Sequence, residues 1–131
     1  MNNFVCLLID DDEDDHAIFR TALNEVAPET DFHSARDGDE AFQVLLNGLT
    51  PNCIFLDINM PRMNGIDFLK HIKNNDQLKR IPVVVHSTSE MPCELDIITK
   101  LGASGVHCKC YRFKDVCDMI KQYFAQFSNK Y

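Results

Sequence analysis

Five short apolar runs, each followed by a stretch with helical periodicity, constrain this chain more than any other feature. Residues 4–9, 53–57 and 81–86 are almost continuously hydrophobic, as strands covered on both faces read. Residues 32–36 and 106–109 are shorter runs of the same kind. Between them, apolar side chains recur three and four residues apart. Ile18, Phe19, Ala22, Leu23 and Val26 form one such set, and Ala41, Phe42, Leu45 and Leu46 within 39–47 another. Ile66, Leu69 and Ile72 within 66–74 follow, then residues 90–101. Phe113, Val116, Ile120 and Phe124 form a stripe along 112–127. Pro28, Gly48 and Gly102 stand where helices are expected to stop. Strand and helix alternating from end to end predict a parallel sheet with helices on both faces. No repeat, linker or low-complexity segment interrupts the pattern, and a single domain over 1–131 is expected, its core about 4–127.

Charge and cysteine content narrow the function classes. Twenty acidic residues against thirteen basic ones leave a net charge of −7 without a basic stripe, the opposite of a nucleic-acid binder. Apolar runs such as 83–85 are too short to span a bilayer. The first residues carry no basic side chain and no signal-peptide core, so a cytoplasmic, reducing location is expected. Of the six cysteines, Cys6, Cys53 and Cys108 fall inside apolar runs and are expected to behave as small buried hydrophobes. His107-Cys108-x-Cys110 resembles half of a zinc site, but no second ligand pair accompanies it.

In open parallel sheets, sites form at the carboxyl ends of the strands. Strand one ends in Asp10-Asp11-Asp12, strand three in Asp57, strand four in Ser87-Thr88 and strand five in Lys109. If strands one, three, four and five are neighbours, several carboxylates, a hydroxyl and an ammonium converge on one rim. Clustered carboxylates do not all stay ionised without a counter-cation, and an oxygen-rich site suits Mg²⁺. A metal and a lysine together neutralise a transferring phosphoryl group, and a carboxylate can itself be the nucleophile. The constellation therefore fits phosphoryl transfer to an aspartate.

The stretches Leu7-Leu8-Ile9-Asp10-Asp11-Asp12 and Ile54-Phe55-Leu56-Asp57-Ile58-Asn59-Met60-Pro61-Arg62-Met63-Asn64-Gly65 resemble the receiver domain of two-component response regulators. So do Ile81-Pro82-Val83-Val84-Val85 with Ser87, and Gly102-Ala103-Ser104-Gly105 with Lys109. A stand-alone domain with no output domain is expected, similar in this to the chemotaxis response regulator. The resemblance implies a three-layer, doubly wound, flavodoxin-like sheet of five parallel strands in the order 2-1-3-4-5 with five helices. It also implies Asp57 as phosphoacceptor, and Mg²⁺ held by Asp10, Asp11, Asp57 and the Asn59 backbone carbonyl. Ser87 becomes the switch hydroxyl and Lys109 the phosphate-binding cation. Thr88 lies beside the switch, and Asn59 and Ser89 occupy the positions that modulate phosphate lifetime. The implied protein is a phosphorylation-dependent switch, not a turnover enzyme, that assists its own phosphorylation and dephosphorylation. A histidine kinase or histidine phosphotransfer protein would supply the phosphoryl group, and a downstream protein target would read it. Monomer or weak homodimer is expected, with no nucleic acid and no membrane as partner.

Two departures from the family pattern stand out. Cys110 replaces the proline that usually follows the lysine, and Val106 replaces a frequent aromatic residue on strand five. A trans Lys109–Cys110 bond is expected, because a cis bond before a non-proline residue costs about 2.5–4 kcal/mol. Cys110 beside the lysine also raises a redox-sensing alternative. Asp12 to Asp15 are assigned to capping the first helix, where its dipole favours acids. His86 and His107 are expected to pack beneath helices, each with one ring nitrogen hydrogen-bonded, and not to act as general bases. Two rival functions use the same residues. A small phosphohydrolase would use Asp10-x-Asp12 as nucleophile and acid/base, and a non-phosphorylated interaction module would keep only the fold.

Overall fold

The computed structural model describes residues 4–58, 65–87, 92–109 and 112–128. In chain order the elements are β1 (Val5–Ile9), α1 (Glu13–Val26), β2 (Asp31–Ala35), α2 (Gly38–Leu46) and β3 (Cys53–Asp57). Then come α3 (Gly65–Lys73), β4 (Val83–Ser87), α4 (Pro92–Lys100), β5 (Gly105–Cys108) and α5 (Phe113–Ser128). The five strands form one parallel sheet in the order β2-β1-β3-β4-β5, as expected. Leu7 pairs with His33 on one side and Ile54 on the other, and Leu56 pairs with Ile9 and Val85.

Side chains alternate between the faces, so each central strand feeds two cores. Leu7, Ile9, Ile54, Leu56, Val83 and Val85 face one layer, where Ala41 and Leu45 of α2, Phe68, Leu69 and Ile72 of α3 and Ile98 of α4 cover them. Cys6, Leu8, Cys53, Phe55 and Val84 face the other. There α1 contributes Phe19, Ala22 and Leu23, and α5 contributes Val116, Met119, Ile120, Tyr123 and Phe127. Phe55 sits at the centre of this second layer, with its ring centroid 5.1 Å from that of Phe19 and 5.7 Å from that of His86. Burying a large apolar side chain of this kind is worth about 1.5–3 kcal/mol, so the two layers are the main source of stability.

Local chemistry sets the ends of the elements. Asp12 caps α1 by accepting from the Asp14 N–H at 2.9 Å, and Asp37 caps α2 by accepting from the Glu40 N–H at 2.8 Å. Gly48 and Gly102 take positive φ of 109° and 95° just past α2 and α4, a conformation that glycine adopts without a Cβ clash. Boundaries differ from the sequence expectation by a residue or two. β4 begins at Val83, not at residue 81, because Pro82 has no N–H to give to the ladder. The Pro82 carbonyl still accepts from the Ile54 N–H at 2.9 Å.

Four side-chain expectations are corrected, the first being Leu46, which ends α2 and is 65% exposed while Ala41 and Leu45 carry its buried face. Cys108 is exposed: it closes β5, a strand at the sheet edge with a neighbour on one side only. Phe113 opens α5 and remains 44% exposed, so the buried stripe begins at Val116. Ile18 is 38% exposed, on the margin of the apolar face of α1 that Phe19, Ala22 and Leu23 bury. Cys6 and Cys53 are fully buried and directly paired across β1 and β3, and burial pushes both thiols well above their ordinary pKa.

Candidate functional site

Parallel strands align their carboxyl ends, and the sequence places polar groups there. Asp10 follows β1, Asp57 ends β3, Ser87 ends β4 and Lys109 follows β5. Among the described residues the buried polar or charged side chains are Asp10, Asp57 and His86, all at this rim. Buried ionisable groups are costly unless paired, so their concentration here marks a site built for charge.

The acidic part is compact. One carboxylate oxygen each from Asp10, Asp11 and Asp57 lies within 4.8 Å of the other two. Asp10 and Asp57 are buried, whereas Asp11 is exposed. The backbone holds Asp10 firmly: its N–H donates to the Ala35 carbonyl at 3.0 Å, and its Oδ1 accepts from the Asp12 N–H at 2.9 Å. Its carbonyl oxygen lies 2.6 Å from His16 Nε2, which therefore donates to it. Burial pushes the Asp10 carboxyl up to about 7, with the Asp57 and Asp15 charges adding to the rise against the Asp12 N–H and Lys109. Burial and the neighbouring carboxylates thus make full ionisation of the cluster costly without a counter-cation. Three oxygen ligands within one ion's reach are the donor set that hard divalent cations select.

Lys109 supplies the positive side. Its Nζ lies 3.4 Å from Asp57 Oδ2 and 3.5 Å from Asp10 Oδ2. Burial alone would lower its pKa, but contact with Asp15 and the charges of Asp10 and Asp57 outweigh burial and hold the ammonium above its ordinary value. The shortest contact, 2.6 Å, is to Asp15 Oδ2. Asp15 is therefore a member of the site and not simply a dipole-favoured acid of α1, which corrects the sequence assignment. A run of acids at a helix start carries no sign of which one turns toward a distant lysine. Periodicity offered a partial one: Asp15 lies three and four residues before Ile18 and Phe19, the latter on the buried face.

Asp12, by contrast, is exposed and occupied as the helix cap, so the Asp10-x-Asp12 pair of a phosphohydrolase is not assembled. His86 packs its ring against Phe55, places Nε2 2.9 Å from Met119 Sδ, and is kept neutral down to about 4, mainly by burial. His107 sets its ring edge-on to Tyr123, with the centroids 5.2 Å apart. Val106 is partly buried against the first core layer. Asn59, Thr88, Ser89 and Cys110, and with them the Lys109–Cys110 bond, lie outside the described residues.

Gly65, the last residue of the 54–65 stretch, is a glycine for a steric reason. A Cβ there would lie 2.6 Å from the Ile58 Cα and 3.0 Å from the Asp57 carbonyl oxygen. The first turn of α3 thus rests directly on the backbone that carries Asp57, and the Gly65 N–H donates to the Ile58 carbonyl at 3.0 Å.

Comparison with known proteins agrees with this geometry. The family profile described as "Response regulator receiver domain" matches residues 6–121. Response regulator Rcp1 of Synechocystis is 34% identical over 128 residues, covering 89% of this chain and 84% of that protein. The crystal structure of the phosphorylated cyanobacterial phytochrome response regulator RcpA superposes with a TM-score of 0.88 at 26% identity, over 99% of this chain and 97% of that one. The Mn²⁺-bound form of Rcp1 superposes with a TM-score of 0.83 at 29% identity, over 97% of this chain and 96% of that one. Among the described residues no helix is long and apolar enough to cross a membrane. The family match along most of the chain, the shared fold and the acidic rim lead to one conclusion: this chain belongs to the response regulator receiver domains of phosphorylation-dependent two-component signalling.

Proposed function

We propose that Asp57 accepts a phosphoryl group from a phosphohistidine of a sensor kinase or phosphotransfer protein. The observation that carries this reading is the placement of Asp57. Its carboxylate is buried, 3.4 Å from the Lys109 ammonium, and within one cation's reach of Asp10 and Asp11. In the transfer, an Asp57 oxygen attacks phosphorus, the P–N bond to the donor imidazole breaks, and the nitrogen keeps the electron pair and takes up a proton. Lys109 stabilises the charge on the phosphoryl oxygens. Asp10, Asp11, Asp57 and the Asn59 carbonyl are the groups that would hold Mg²⁺, which when bound supplies further positive charge to those oxygens. That the similar Rcp1 has a Mn²⁺-bound form supports a divalent ion here.

The Ser87 hydroxyl, at the end of β4, accompanies Lys109 in meeting the new phosphate, and Thr88, Ser89 and Asn59 modulate access and lifetime. The chain acts as a phosphoacceptor and not as a turnover enzyme. The added charge of about −1.5 to −2 draws the loops after β4 and β5 toward Asp57. The α4–β5–α5 surface then changes its affinity for a downstream protein, or the phosphoryl group passes onward. A cytoplasmic single domain, monomeric or weakly dimeric, completes the proposal.

Intact mass before and after treatment with acetyl phosphate and Mg²⁺ tests it. One phosphoryl group should appear on the native chain and none on Asp57→Asn. Lys109→Ala should impair labelling, whereas Ser87→Ala should still be labelled. Phosphate mapped to Asp10 would overturn the assignment in favour of a phosphohydrolase, and no labelling at all would favour an interaction module.

A further inference from the structure

We propose that Asp15 is a positioning residue that draws the Lys109 ammonium away from Asp10 and Asp57 and so keeps those carboxylates open to a divalent cation. The inference rests on the reading that the Asp10, Asp11 and Asp57 cluster holds such an ion. Three carboxylates surround Lys109 Nζ, and they are not equivalent. Asp15 Oδ2 is at 2.6 Å, whereas Asp57 Oδ2 and Asp10 Oδ2 are at 3.4 and 3.5 Å. Coulomb attraction favours the shortest pair, while the ammonium still donates a hydrogen bond to Asp57 Oδ2 at 3.4 Å. Asp15 stands outside the compact acidic group, in the first turn of α1, and approaches the ammonium from the helix side. The pair is well shielded, with the Asp15 and Lys109 side chains 24% and 15% exposed, so solvent screens it little.

The pull matters because the ammonium and a metal ion compete for the same oxygens. Without Asp15, the nearest anions left to Lys109 are Asp57 and Asp10, two of the three carboxylates that define the cation site. A lysine seated fully on them would occupy their lone pairs and repel the ion. Beside the ammonium lies a cavity of about 30 Å³, bordered by Asp10, Asp15, His86 and Lys109 and otherwise by apolar side chains of β1, α1 and α5. The same hold leaves Lys109 available for recruitment to phosphoryl oxygens.

A double-mutant cycle on Mg²⁺ affinity, measured by titration calorimetry on the full chain, distinguishes this role from a structural or purely Coulombic one. Asp15→Asn should weaken Mg²⁺ binding about threefold to tenfold in the native background, and by less than about twofold in Lys109→Ala, because the effect runs through the lysine. Asp15→Glu, which keeps the charge, should retain native affinity. Asp15→Ser, run in parallel, should behave as Asp15→Asn, and urea midpoints confirm that each variant is folded. Equal weakening in both backgrounds would overturn the proposal and leave Asp15 as one more negative charge near the ion. An unchanged affinity in Asp15→Asn would also overturn it, leaving the pair as a tie between α1 and β5. If the native chain binds no Mg²⁺ at all, both this inference and the cation reading fail together.

Discussion

Acidification of the metal-free protein should cost about 3 kcal/mol of stability through a single side chain, His86. Its ring is buried between Phe55 and Met119. Burial first, and then the charges of His107 and Lys109, oppose its protonation, against a smaller opposite pull from Asp15. The folded imidazole therefore stays neutral down to about 4, while in the unfolded chain it takes up a proton near the ordinary value of 6.5. Between those two pH values the unfolded state binds more protons, so stability is fully present above about 6.5 and is lost as pH falls toward 4. At roughly 1.4 kcal/mol per pH unit, that gap is worth about 3 kcal/mol. Asp10 works the other way. Its carboxyl is raised to about 7, so the folded state gains relative stability as pH falls through that value. The whole-protein profile mixes the two, and the clean observable is a difference. Urea unfolding in EDTA, from neutral pH down to 4, should be run on the native chain and on His86→Gln. The native chain should lose about 2–3 kcal/mol more than the variant over that range. Parallel profiles, with a constant offset at every pH, would show that His86 protonates freely in the fold and would refute the argument.

Three further substitutions test local points. Gly65→Ala places a Cβ against backbone that cannot swing aside, and should destabilise the protein by about 1–3 kcal/mol in urea unfolding. Asp37→Ala removes the oxygen that accepts from the Glu40 N–H, and should cost about 1 kcal/mol by the same measurement. Phe55→Ala empties the centre of the second core layer, and should cost about 3–5 kcal/mol.

What was legible in the sequence follows from what is local. The run 53–57 announced a buried strand because five consecutive side chains face packed layers, and the structure returns the same bounds. The strand-end rule places Asp10, Asp57, Ser87 and Lys109 on one rim from the sequence alone, because parallel strands share one direction. The misses are tertiary. Asp15 and Lys109 lie far apart in the chain, and only the tertiary fold, with α1 packed against α5, brings them to 2.6 Å. Four residues of β5 are too few to show which face Cys108 meets, and its edge position decides its exposure. The clash that glycine avoids at Gly65 leaves no pattern in the letters.

The paired thiols of Cys6 and Cys53 give the protein a built-in reporter of opening. Both lie in the two strands at the heart of the sheet, fully shielded and held protonated by burial. An alkylating reagent therefore reacts with exposed Cys108 in the folded state and with Cys6 and Cys53 only when β1 and β3 separate from their covering helices. The rate at which the central pair acquires label, read peptide by peptide, becomes a clock for the unfolding of the sheet. Run with and without phosphodonor and Mg²⁺, that clock measures how far events at the rim tighten the core beneath it.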